Sequence, residues 1–156
     1  MNTNYLIAVL AAVSALAHAA DTPGSNPSVR ATPVSERLGT ARKAIETKDW
    51  SRAMSELNLA VRDEPRNADV HNLLGYSYRK RATPDLAKAF EHYKTALQLD
   101  PKHKGAHEYI GEAYLMDKKP AEAEKHLAQL ETICGNKTCE EYADLAKSIA
   151  SYKATN

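Results

Sequence analysis

From Leu38 onward the apolar positions fall three and four residues apart. Leu38, Ala41, Ala44 and Ile45 share one helical face, and Trp50, Ala53, Leu57 and Ala60 share the next. Val70, Leu74 and Tyr78 line a third. After a break at Arg81-Ala82-Thr83-Pro84, Leu86, Ala89, Phe90, Tyr93, Ala96 and Leu97 line a fourth. Thr83 before Pro84 predicts an N-cap followed by a first-turn proline, where the missing N–H costs little. Gly135 is expected to close a later helix. Thr138 with Glu141 reads as a capping box opening the last one, whose face is Tyr142, Leu145, Ile149 and Tyr152.

These helices repeat. Ala53, Ala60 and Pro65 recur 36 residues later as Ala89, Ala96 and Pro101. Leu74-Gly75 with Tyr78 recurs at the same interval as Ile110-Gly111 with Tyr114, and Ala123 follows Ala89 after 34 residues. A period of this length marks a solenoid, in which each helical pair covers only its neighbours' apolar faces. The expected fold is all-α: a helix-turn-helix solenoid of about three units, 35–67, 68–103 and 104–134, with a C-terminal capping helix at 138–153. Such a chain builds a surface more readily than an active site.

The ends are written differently. Met1 to Ala20 has no Asp, Glu, Lys or Arg, and its apolar run from Leu6 ends at Ala17-His18-Ala19, small residues where a signal peptidase reads. The expectation is a signal peptide over 1–19, cleaved after Ala19, and an exported protein, periplasmic or secreted, with no membrane span left after cleavage. Residues 20–34 hold three of the seven prolines without apolar periodicity and read as a flexible linker. In the whole chain 21 Lys and Arg balance 20 Asp and Glu, for a net charge of +1. That balance gives no drive toward nucleic acid.

Gly75, Tyr78, Ala89, Tyr93, Ala96 and Leu97-Gln98-Leu99-Asp100-Pro101 make the chain resemble the tetratricopeptide repeat proteins. Ile110, Gly111, Tyr114, Ala123 and Leu127 continue the pattern in the third unit, and Trp50, Ala53, Leu57, Ala60 and Pro65 in the first. Two extra residues lengthen the second unit, and Leu130 stands where the family usually has a small side chain. The resemblance implies a non-catalytic adaptor or scaffold that binds a peptide or partner protein on a concave face lined by the first helix of each pair. It points to Asn72, Leu73, Tyr76, Arg79 and Lys80 in the second unit, and to Glu108, Tyr109, Glu112, Leu115 and Met116 in the third. Arg42 and Glu46 would join them from the first. Arg79 and Lys80 would hold a carboxylate, Glu108 and Glu112 a basic side chain; Arg79 and Glu112 would alternatively pair with each other across neighbouring helices. Leu73 and Gly105 stand where the repeats that clamp a chaperone's C-terminal carboxylate need polar or basic residues, which disfavours that activity.

Cys134 and Cys139 bracket a four-residue turn, and in an exported protein a structural disulfide is expected. On the chain-entropy model so short a loop contributes about 2 kcal/mol. Redox exchange would need a tighter Cys-x-x-Cys spacing in a different fold. His71 and His107 occupy equivalent repeat positions, as do His92 and His126, so their recurrence follows from the repeat itself. His103 and His107, four apart, give the alternative of a metal or cofactor escort, but no third ligand is evident and no resident metal or cofactor is expected. An architectural subunit of an envelope assembly, or a homo-oligomer, is the other alternative. No Gly-rich phosphate loop, nucleophile elbow or His-Glu-x-x-His occurs, so an enzyme is not expected.

Overall fold

A computed structural model describes Thr32–Asn156. The expected signal peptide at 1–19 and the linker up to residue 31 lie outside these residues. Among the described residues there are seven helices and no strand: α1 (Val34–Glu46), α2 (Trp50–Asp63), α3 (Ala68–Lys80), α4 (Leu86–Leu99), α5 (Lys104–Met116), α6 (Pro120–Cys134) and α7 (Glu140–Thr155). None is long and apolar enough to cross a membrane.

The helix starts repeat as the apolar residues do. Asp49 and Asp85 each accept a hydrogen bond from the backbone N–H three residues on, capping α2 and α4. Asn67 and His103 do the same for α3 and α5. Each cap satisfies a backbone donor that the helix leaves unpaired. The turn inside each pair closes with a backbone bond, Asp49 N–H to Ala44 O, Lys119 N–H to Tyr114 O, and Asp85 N–H to Tyr78 O. That closure spans five residues in the first and third units and seven in the second, which locates the two extra residues. Lys48 and Lys118 take positive φ (59° and 58°) in the short turns, whereas the longer one holds no such residue.

Three local expectations shift. Thr83 does not cap α4 and Pro84 is not in its first turn, because closure at Tyr78 puts the N-cap at Asp85. Thr138 and Glu141 form no capping box. The hydroxyl of Thr138 donates to Asn136 Oδ1, and α7 begins after Cys139 without a side-chain cap. Val34, expected as the end of the linker, is the first residue of α1 and is buried against Leu38. Gly135 does close α6, in the left-handed conformation (φ 69°) that favours glycine. The sulfur atoms of Cys134 and Cys139 across this turn are joined at 2.05 Å.

The odd-numbered helices touch in series, α1 to α3, α3 to α5 and α5 to α7, while α2, α4 and α6 touch only odd-numbered ones. A stack closed up on one side and splayed on the other curves, so the odd helices form the inner face. Residue pairs in matching order, Lys104 with Glu141, Gly111 with Leu145 and Glu112 with Ser148, show α5 and α7 running parallel. The core is a succession of joints. Val34, Leu38, Leu57, Val70 and Leu74 make the first; Ala89, Tyr93, Ile110 and Ala113 the second; Leu115, Leu130, Leu145 and Ile149 the third. Leu130, the large residue at a usually small position, fills the space against α7. No single cluster spans the chain, as expected when each repeat is held by its neighbours.

Close approach at the second joint depends on a missing side chain. A Cβ on Gly75 would lie 2.6 Å from two ring carbons of Tyr93, which is fully buried and cannot swing away. Alanine normally gains about 1 kcal/mol over glycine inside a helix, but overpacking a rigid core costs about 1–3 kcal/mol. Gly75→Ala is therefore expected to lower the urea midpoint. Gly39→Ala, where nothing lies within 4 Å, is expected to raise it. Equal shifts of the same sign would show that the Tyr93 contact does not limit packing.

Candidate functional site

The inner face carries a row of aromatic rings. Trp50, Tyr76 and Tyr109 stand in sequence on α2, α3 and α5, with ring centroids 6.5 Å and then 4.8 Å apart. Behind them Tyr93 reaches forward from α4 to within 6.4 Å of Tyr109. The guanidinium of Arg79 sits between these rings, 5.4 Å from the centre of Tyr76 and 5.7 Å from that of Tyr109. Its Nε donates to the Tyr93 hydroxyl (3.3 Å) and its Nη2 meets Glu112 Oε2 at 2.5 Å. Glu112 in turn accepts from Ser148 on α7 at 3.1 Å.

Arg79 is thus only 4% exposed. Its expected role as a holder of an incoming carboxylate does not match this placement, because its charge is taken up by Glu112 and the ring faces; of the two expectations, pairing with Glu112 is the one the structure shows. Burial raises the Tyr109 phenol to about 12, with Glu108 adding to the effect, so the ring stays neutral.

The remaining expected residues fall into two hollows on either side of this centre. Arg42, Ile45, Glu46, Leu73, Tyr76 and Tyr109 line one of about 240 Å³ between α1, α3 and α5. Glu108, Glu112, Leu115 and Met116 line another, of about 650 Å³, facing Asp144, Lys147, Ser148 and Tyr152 of α7. Lys80 is exposed but lines neither. Asn72 is buried, and its side-chain oxygen has no partner. Sequence reasoning missed the contribution of α7, read as a cap alone, and that of Trp50, read as a packing residue of α2. The 36-residue step from Glu112 to Ser148 was the available signal, since it continues the repeat into a fourth helix of the inner face.

Glu108 is the least compensated group here. It is 9% exposed, and no Lys, Arg or His of the described residues lies within ion-pairing distance of it. Burial, reinforced by Glu112, Asp144 and Glu141, pushes its carboxyl up to about 8.

The histidines are spent on structure. His103 caps α5 through Nδ1, and its Nε2 donates to Asp69 Oδ1 (3.0 Å). His107 places Nε2 on the Pro101 carbonyl (3.1 Å) and Nδ1 against His126 Nδ1 (2.9 Å). His103 and His107 therefore direct their nitrogens to different partners and form no joint metal site. The second unit has the same pair, His71 to the Pro65 carbonyl (2.9 Å) and to His92 Nδ1 (3.1 Å). A carbonyl only accepts, so Nε2 of His71 and of His107 carries the proton, and each Nδ1 accepts from the Nδ1–H of His92 or His126. Among the described residues, the cluster with metal-ligand spacing is Cys134, Cys139 and Glu141, two of whose members are joined as a disulfide.

Residues 82–147 match the family model of the tetratricopeptide repeat. Solved structures share the fold. The first such domain of Spaghetti (RPAP3) bound to the HSP90 peptide SRMEEVD is 16% identical, with 78% of this chain and 93% of that one covered at a TM-score of 0.65. The TPR2B domain in the pHsp70 complex of yeast Sti1 is 14% identical, with 79% and 98% covered at 0.68. The Yersinia enterocolitica type III secretion translocator chaperone SycD is 18% identical, with 78% and 89% covered at 0.64. No curated protein matches the sequence.

The paired imidazoles make stability depend on pH. Burial, and then the facing histidine, lowers His92 and takes His126 down to about 4 from an ordinary 6.5. The unfolded chain takes up these protons below about 6.5 and the folded chain only at lower pH, near 4 for His126, so the folded state loses stability as pH falls across that window. Glu108, raised in the folded state, works in the opposite direction between about 8 and 4.5. Comparing wild type with the His92→Gln, His126→Gln double variant cancels the Glu108 effect. The difference in urea midpoint is expected to be flat above pH 6.5 and to move in the variant's favour toward pH 4. A pH-independent difference would contradict the buried neutral pairs.

Proposed function

We propose that the chain, whose fold and residues 82–147 match the tetratricopeptide repeat, is a non-catalytic adaptor of that family that binds an extended segment of a partner protein along its inner face. The observation that carries this reading is the pair of hollows along the inner face, one lined by Tyr76 and Tyr109 between α1, α3 and α5 and the other between α5 and α7. Aromatic rings held in place before binding give contact area at low entropic cost. Met116, the one large hydrophobic side chain of the described residues with high exposure (46%), lies at the rim of the larger hollow. The fold-sharing domains of Spaghetti and yeast Sti1 are named with bound HSP90 and Hsp70 partners, which supports peptide binding as the activity of this architecture.

The setting belongs to the same proposal: an extracytoplasmic protein, periplasmic or secreted, released by cleavage after Ala19. The apolar leader and the paired cysteines support it. An escort role for metal through His103 and His107 has no support in the arrangement of their nitrogens.

A photo-crosslinking residue placed at Met116 in the full chain, in cells, is expected to yield a specific adduct, while the same residue at Lys94 on α4 is not. Adducts from Lys94 alone would move the contact to the outer layer. For the exported state, the mature protein is expected to begin at Ala20 by mass, with no free thiol before reduction and two after. A retained leader or two reactive thiols would overturn export.

A further inference from the structure

The larger hollow has an internal order. Because α5 and α7 run parallel, Glu108, Glu112 and Asp144 lie toward one end, and Leu115, Met116 and Tyr152 lie further along. The first end is acidic and under-neutralised. Arg79 is engaged by Glu112, and Lys104 sits 3.5 Å from Glu141. Lys147 lines the hollow but lies outside ion-pairing distance of Glu108. Glu108 itself is nine-tenths buried, lines the hollow and has no hydrogen bond or ion pair among the described residues. The second end carries the hollow's apolar side chains, beside Ser151 and Thr155.

We propose that this hollow receives one Lys or Arg side chain of the bound partner, its cationic head against Glu108 and its methylene stem along Leu115, Met116 and Tyr152. The inference rests on the adaptor reading above and names the chemistry of its partner. A cationic head on an aliphatic stem matches an acidic end and an apolar end in sequence. A bare metal ion matches less well, because the ligand atoms of Glu108, Glu112 and Asp144 do not converge within 4.8 Å of one another. A small apolar ligand would leave the Glu108 carboxylate unpaired. An incoming ammonium or guanidinium would supply the missing charge, and the raised carboxyl would then ionise on binding. The peptide SRMEEVD of the Spaghetti structure carries three acidic side chains and one basic one. The occupant expected here is distinguished by its base.

The test uses the full chain and short acetylated, amidated peptides of Ser, Gln and Leu, each with a single central Arg or Lys. Matched peptides carry citrulline or acetyl-lysine, and binding is read by fluorescence anisotropy at low salt. Arg or Lys peptides are expected to bind roughly tenfold or more tighter than their neutral counterparts. Glu108→Gln is expected to erase that preference while leaving the neutral peptides unaffected. Glu108→Gln exchanges a carboxyl for a neutral amide of nearly the same shape, so the variant is expected to fold, and circular dichroism checks this. Asp144→Asn, at an exposed position, is a second variant expected to reduce the preference by a smaller factor. Equal binding of charged and neutral peptides, or a preference that survives Glu108→Gln, overturns the cation inference and leaves the adaptor reading standing. Binding of none of the peptides, with no adduct from Met116, overturns both. Calcium or zinc ions alone binding at Glu108 and excluding the Arg peptide would overturn it in favour of a metal site.

Discussion

One buried charge organises the inner face. Arg79 leaves α3 toward the interior, where an unpaired guanidinium would be far too costly to bury. Its surroundings are therefore constrained together. The Tyr93 hydroxyl must come forward from α4, Glu112 must face back from α5, and the rings of Tyr76 and Tyr109 must flank the cation. Glu112 extends the linkage by accepting from Ser148 of α7. Four helices of a solenoid whose apolar joints are otherwise separate are tied by one polar network. Such a network is directional where apolar packing is not, so it fixes how α3, α5 and α7 are set against one another. The shape of the two hollows depends on that setting. Removing one partner leaves the others buried and unpaired, and breaking such a pair costs about 3–5 kcal/mol.

The repeat was legible because it is written in small and apolar residues at helical spacing, a local signal. Gly75 and Ala89 show why it is reliable. Gly75 stands against the buried Tyr93 ring, where a Cβ would clash, and Ala89 is fully buried in the same joint. The turn inside the second unit was misread because Thr83-Pro84 is a good start signal in isolation. The carbonyl of Tyr78, seven residues before Asp85, decides the start instead, and that bond is visible only once the pair has closed. Thr138 failed similarly, its hydroxyl being claimed by Asn136 within the turn.

The inner face was legible as a list of positions and not as an arrangement. The resemblance placed Tyr76, Tyr109, Glu108 and Glu112 together, and the structure does bring them to one surface. It gave no sign that Arg79 is interior, since charged residues at these positions read as solvated until the partners facing them are known. The histidines are the converse case. Four apart on one helix, His103 and His107 invite a metal, yet the 36-residue recurrence of His71 and His92 as His107 and, in the shorter unit, His126 already indicated a paired structural role. Where spacing within a helix and recurrence between repeats disagreed, recurrence was the better guide, because it reports an environment and not a single face.

The same logic separates Glu108 from its neighbours. Its equivalent one repeat earlier is Asn72, also buried and also lacking a partner for its side-chain oxygen. A position that is twice polar and twice buried on the inner face is hard to explain by packing, since an apolar residue of similar size would cost less in both units. Arg79 accounts for Glu112, and the caps and paired rings account for the histidines. No contact within the described fold accounts for Glu108. Its carboxyl faces the hollow and no protein donor, and for a carboxyl beside other carboxylates the most effective donor a partner can bring is a positive charge.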